Sequence, residues 1–235
     1  MSQQTLEQRV RQLQEEVLAL GGLVEGVLIE SVDLLRQSDL DTLDQLNDHG
    51  HQIHRQRLAI EMGCLSLIAT RRPRDGDLHR LVAMVEIAAE LEHIGEHARR
   101  VARVNYLVVD HQLRRPVAGI QRLARRVQAP LNQALEALVQ GETALNQMAL
   151  AETREVNALY EQVYEELLRV MKSKPRVANQ AIYLSRAAYN LKRVAERVTG
   201  VCEWVVFSTT GTMGGQVVPL QPRPGGETPV THDGT

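Results

Sequence analysis

The sequence predicts an all-α protein built as two tandem three-helix bundles, six long antiparallel helices in all, followed by a flexible C-terminal tail. Three observations predict it. Aromatic residues are scarce, with one Phe, one Trp and five Tyr among 235 residues, while Leu, Val and Ala abound. That composition suits helices packed through aliphatic side chains better than a β-sandwich or barrel. Apolar residues recur at three- and four-residue steps over long stretches, and the order of helices and hairpins returns after about a hundred residues.

Leu6, Val10, Leu13, Val17, Leu20, Val24, Leu28 and Val32 set a first amphipathic helix ending near Ser38. Asp39-Leu-Asp41 reads as the start of a second, with acidic residues at the cap and first turn. Its stripe of Leu43, Leu46, Ile53, Leu58, Met62 and Leu65 stops before the hairpin Arg71-Arg-Pro-Arg-Asp-Gly76. A third helix starts at Asp75 or Asp77 and runs to around His111, with a reversal near Arg115-Pro116. The fourth spans about Val117 to Val139 and meets Gly141-Glu-Thr. The fifth passes through Ala144, Met148, Val156, Leu159, Val163 and Leu167. After Lys172-Ser-Lys-Pro175 the sixth ends near Phe207. Pro73 and Pro175, the two hairpin prolines, lie 102 positions apart. The units are therefore 1–114 and 115–210, and the Gly/Pro-rich stretch 211–235 has the composition of a tail that buries too little to offset its ordering entropy.

A formal net charge of −2 gives no basic field to draw the chain to nucleic acid or anionic lipid. No stretch approaches the ~18 uncharged apolar residues of a membrane span, and the N-terminus lacks the apolar core of a signal peptide, so a cytosolic location is expected. Cys64 and Cys202 stand alone in amphipathic segments, without metal spacing, and read as buried free thiols. No glycine-rich phosphate loop, Ser/His/Asp order or catalytic cysteine context is present, so the chain is not expected to be an enzyme.

The third helix of each unit carries a charged pentad. Glu92-His-Ile-Gly-Glu96 in the first is echoed 100 positions later by Lys192-Arg-Val-Ala-Glu196. Carboxylates at i and i+4 on a helix repel unless a cation lies between them. The first pentad needs a counter-charge, and the second carries Lys192, which favours a salt bridge to Glu196.

With Leu20-Gly-Gly-Leu-Val-Glu25, Pro73-x-x-x-Asp77-Leu78, Leu91-Glu-His-Ile-Gly-Glu96-His-Ala98, Asn190-Leu-Lys-Arg-Val-Ala-Glu196 and Cys202-Glu203-x-Val-Val-Phe207, the chain resembles the PhoU family across roughly residues 6 to 212. That resemblance implies paired three-helix bundles, often forming a homodimer. It implies an acidic motif on the third helix of each bundle able to hold metal. It further implies a cytosolic, non-enzymatic adaptor that restrains a phosphate-specific ABC transporter and its sensor histidine kinase. Three positions depart from the acidic pattern: Gly50, Thr153 and Lys192.

Hairpin geometry adds to this. Gly50 and Glu96 are equidistant from Pro73, so in an antiparallel pair Gly50 lies beside Glu96 and His54 beside Glu92. Seven of eight histidines fall in the first unit. A mixed site for Fe or Zn from His51, His54, Glu92 and Glu96 is one expectation, with Glu196 the retained acidic position of the second motif. An ordinary charged network with Arg99, Arg100 and Arg103 is the other. His93-Ile-Gly-Glu96-His97 also matches the inverted zinc-protease string, and Glu90-x-x-His93 a single di-iron step. The alternative function is accordingly a metal-dependent helical-bundle enzyme using the first unit's His/Glu cluster.

Overall fold

A computed structural model describes residues 5–35, 40–104, 113–140, 145–213 and 216–217. Six long helices are present among them: α1 (Leu6–Asp33), α2 (Leu40–Arg71), α3 (Asp75–Ala102), α4 (Arg114–Gln140), α5 (Leu145–Ser173) and α6 (Ala178–Thr210). Thr5 starts α1 through a capping box, its side chain accepting from the Gln8 N–H at 3.2 Å while the Gln8 side chain accepts from the Thr5 N–H at 3.0 Å. A single 3-10 turn at Pro175–Val177 leads into α6.

Within each unit three helices pack together, α1 with α2 and α3, and α4 with α5 and α6. The units join chiefly through α3 and α6. His79 meets Phe207, Glu90 meets Arg197, and His97 meets Asn190. As one number rises the other falls, so these helices run antiparallel and relate the units by a pseudo-two-fold. A second seam between α1 and α4 has Glu25 accepting from Gln128 (2.6 Å) and Asn132 (2.8 Å). Apolar side chains from all six helices form one continuous core, including Leu20, Ile53, Leu91, Leu131, Val163 and Leu191.

Several ends differ from the expectation. The first helix stops at Asp33, not near Ser38. Leu34 and Leu35 donate to the Glu30 and Val32 carbonyls in a tightening turn that buries both leucines, while residues 36–39 lie outside the described set. The third ends at Ala102, where Arg103 and Val104 bond back to Arg99 and Val101; the stretch expected to continue it to His111 is not described beyond Val104. The sixth continues to Thr210 and is stopped by Gly211, whose φ of 66° suits glycine and whose N–H donates to the Phe207 carbonyl. The first residues of the expected tail then pair, Thr212–Met213 with Gln216–Val217, in a short antiparallel ladder. The rest of that stretch lies outside the described residues.

Both thiols are buried and free. Burial pushes each up to about 12, with Glu16 adding to the effect at Cys64 and Glu203 at Cys202. The thiolate is the reactive form. Folded protein at pH 8 should therefore leave a thiol-reactive disulfide reagent almost unconsumed, and denaturant should release two thiols per chain. Rapid labelling of either cysteine without denaturant would contradict this.

Candidate functional site

Helix α2 brings His54 and Arg57 against α3 at Glu92, in the register that counting from Pro73 predicts. His54 Nδ1 lies 2.7 Å from Glu92 Oε1, and Arg57 Nε donates to Glu92 Oε2 at 2.9 Å. A carboxylate only accepts, so Nδ1 carries the proton in this contact. Arg57 also pairs with Glu61 one turn further along α2. Burial pushes the Glu92 carboxyl up, but the His54 hydrogen bond and the Arg57 charge outweigh it and hold the group below the ordinary carboxylate value.

The other predicted site residues are dispersed. Glu96 is exposed and accepts from Arg100 at 3.4 Å, an i, i+4 surface pair. His51 is exposed on α2. Glu196 pairs with Arg193, not with Lys192 as its spacing suggests. Lys192 instead places its ammonium 5.0 Å from the centre of the Tyr160 ring, an attraction between cation and ring face that leaves Arg193 to neutralise the carboxylate. Gly50 is buried, and its neighbour is Arg99, one turn beyond the expected Glu96. A Cβ at residue 50 would overlap the Arg99 guanidinium. Of Arg99, Arg100 and Arg103, only Arg100 is seen bonded to the pentad; Arg57, which belongs to no motif, pairs with Glu92.

The inverted zinc-protease string is also split. His93 and Glu96 are exposed, whereas His97 is half-buried and its Nδ1 lies 2.9 Å from the Asn190 side-chain oxygen of α6. Among the described residues no group of three or more His, Cys, Asp and Glu side chains is placed to hold a metal ion. The donor set that an acidic metal motif requires does not fit here: its first carboxylate is engaged by Arg57 and His54, its second by Arg100, and Gly50 on α2 lies under the Arg99 guanidinium of α3.

His97 is held below its ordinary value, first by burial and then by the charges of Arg100, Arg193 and Arg197, against which the Asn190 hydrogen bond acts only in part. A depressed histidine binds its proton less readily folded than unfolded. Its contribution to stability is therefore complete above pH 6.5 and declines as pH falls from 6.5 toward the folded value. Replacing His97 with Gln should flatten urea midpoints between pH 7 and about 5. An equally steep loss in the variant would assign the pH dependence elsewhere.

The PhoU domain family model matches this chain twice, over residues 17–104 and 120–205. The phosphate-specific transport system accessory protein PhoU of Serratia marcescens is 23% identical over 199 residues, 85% of this chain and 82% of the relative. The PhoU homolog of Pseudomonas aeruginosa is 25% identical over 201 residues, 85% of this chain and 83% of the relative. Crystal structures show the same fold. PhoU from Pseudomonas aeruginosa superposes with TM-score 0.80 at 24% identity, covering 88% of this chain and all of that one. The phosphate transport system regulatory protein PhoU from Streptococcus pneumoniae gives 0.81 at 20% identity, covering 92% and 100%. With a family domain matched in each of its two three-helix units, this chain belongs to the PhoU family.

Proposed function

We propose that this chain is a cytoplasmic, non-enzymatic regulator of phosphate uptake. It acts as an adaptor that restrains a phosphate-specific ABC transporter and the signalling of its associated sensor histidine kinase. The observation that carries the reading is the double family match, covering both units of a chain whose relatives are named as accessory proteins of phosphate-specific transport. No helix of the described residues is long and apolar enough to cross a membrane, so contact with a transporter would pass through protein surfaces. A continuous core across α3 and α6 makes the two units a stiff platform, suited to steric and conformational restraint. Any ligand that relieves the restraint must bind the free and engaged states with different affinity. On the outer side of α2, Leu58, Met62 and Leu65 are 39%, 64% and 47% exposed and line one helical face, a surface that a homodimer would cover.

Deleting the gene and following phosphate uptake and a phosphate-starvation reporter in phosphate-replete medium tests the function. Raised uptake and reporter output, reversed by the intact gene, is the expected result; no change in either would sink the proposal. Affinity capture from membranes, with and without residues 1–38, should recover transporter and kinase subunits in a way that depends on the folded chain.

A further inference from the structure

The two units keep the same contacts and exchange their chemistry. Pairing the third helices at an offset of 100 and the second helices at an offset of 103 sets Arg99 against Thr199, Glu92 against Lys192, Gly50 against Thr153 and Arg57 against Tyr160. In the first unit the Arg99 guanidinium lies over Gly50. At the equivalent place in the second, the Thr153 and Thr199 hydroxyls lie 2.8 Å apart. Arg57 bonds Glu92 in the first unit, and Lys192 caps the Tyr160 ring in the second. Both helix–helix seams are thus closed at the same two levels, once by guanidinium groups and once by hydroxyls and a cation on a ring.

We propose that this PhoU-family chain closes both seams with its own cations and hydroxyls in the places where the family's acidic motif would hold metal, and that Arg99 over Gly50 is the residue that takes a metal's place in the first unit. The inference rests on the family membership and not on the adaptor function. Three features of the site carry it. A glycine in a helix interior is less favourable than alanine, and at Gly50 the missing side chain leaves room for a guanidinium. Arg99 supplies a fixed positive charge beside the pentad without needing a bound ion, and its planar head fits against bare backbone where a side chain would displace it. Each of the three pentad carboxylates already has a cation, Glu92 from Arg57, with His54 hydrogen-bonded to its other oxygen, Glu96 from Arg100, and Glu196 from Arg193. A divalent ion at Glu92 would have to displace two bonded groups, His54 and Arg57.

The test uses the full chain purified without chelator. Elemental analysis should find well under one equivalent of Fe, Zn or Mn, and the melting temperature should move by less than about 1 °C with EDTA or with added Mn2+ or Zn2+. The variant Gly50→Asp with Arg99→Ala puts an acidic side chain at the position where Arg99 now sits and removes the guanidinium. Shown folded by circular dichroism, it should rise by about 3 °C or more with millimolar Mn2+ or Zn2+. Stoichiometric metal in the unaltered chain, lost on Glu92→Ala, would overturn the proposal. So would a folded double variant that responds to metal no more than the unaltered chain, because Arg99 would then not be what excludes the ion. Single Gly50→Asp separates the contributions: Arg99 is long enough to pair with the new carboxylate, so that variant should stay unresponsive, and a full metal response from it would also contradict the role given to Arg99.

Discussion

Replacing Phe207 with Ala should lower stability by about 3–5 kcal/mol, the range for removing a fully buried aromatic ring. For a chain of this length that is a fall in melting temperature of roughly 10 °C. Phe207 is the only phenylalanine, is 1% exposed, and stands at one end of the seam between the units. Its ring centre lies 5.2 Å from that of His79 on α3 and 5.4 Å, edge-on, from that of Trp204. Its carbonyl receives the Gly211 N–H that ends α6. Removing the ring opens a cavity between α6 and the first turns of α3, so the loss falls on the joint between units and not inside one of them. Because one core runs through both units, the unfolding should stay a single transition at a lower temperature. Phe207→Leu, which keeps most of the volume, should lose less than half as much. A melting shift under about 2 °C for the alanine variant would show that the seam does not depend on this ring.

That joint was legible in the sequence only in part. Helix identity follows from apolar spacing, because burying an apolar stripe dominates the energetics of a long amphipathic helix, and all six helices form; in α2, however, the expected stripe leaves the core after Ile53, with Leu58, Met62 and Leu65 exposed and Ile60, Cys64 and Leu67 buried in their place. Their ends follow from local bonds that periodicity does not encode. Leu34 and Leu35 extend the apolar stripe of the first helix, yet they are buried by a turn and not by another helical turn. At the site, counting residues from Pro73 placed His54 beside Glu92 correctly, since both contacts lie on helix faces fixed by the core. The same count put Gly50 beside Glu96, where the structure has Arg99; an arginine reaches across a turn, and a glycine offers no side chain to resist it. Lys192 and Glu196 have salt-bridge spacing, but a nearer partner at i−3, Arg193, takes the carboxylate and an aromatic ring on α5 takes the lysine. Arg57 belongs to no motif. Aligning the second helices of the two units, which sets it against Tyr160, is the signal that singles it out.

Arg57→Ala is the second large effect, and its pH dependence distinguishes an ionic seam from a packed one. The Glu92 side chain is only 19% exposed and Arg57 22%, so loss of the guanidinium leaves one poorly hydrated carboxylate with His54 alone and strips Glu61 of its partner as well. A cost of about 1–3 kcal/mol is expected near neutral pH, below that of a fully buried pair because some water remains. Glu92 is held below the ordinary carboxylate value of 4.5 in the fold, so its contribution is present above pH 4.5 and is lost as pH falls through the folded value. The gap in urea midpoint between the unaltered chain and Arg57→Ala should therefore be widest near pH 7 and close progressively in acid. Glu92→Gln should remove most of the same acid sensitivity, and combining it with Arg57→Ala should cost less than the sum of the two. Tyr160→Ala, at the equivalent position of the second unit, removes a ring under Lys192 and no carboxylate partner, so its cost should stay nearly constant over the same pH range. A flat profile for Arg57→Ala, matching that of Tyr160→Ala, would mean that Arg57 acts through its aliphatic stem and that the charge exchange between the two units has no energetic consequence.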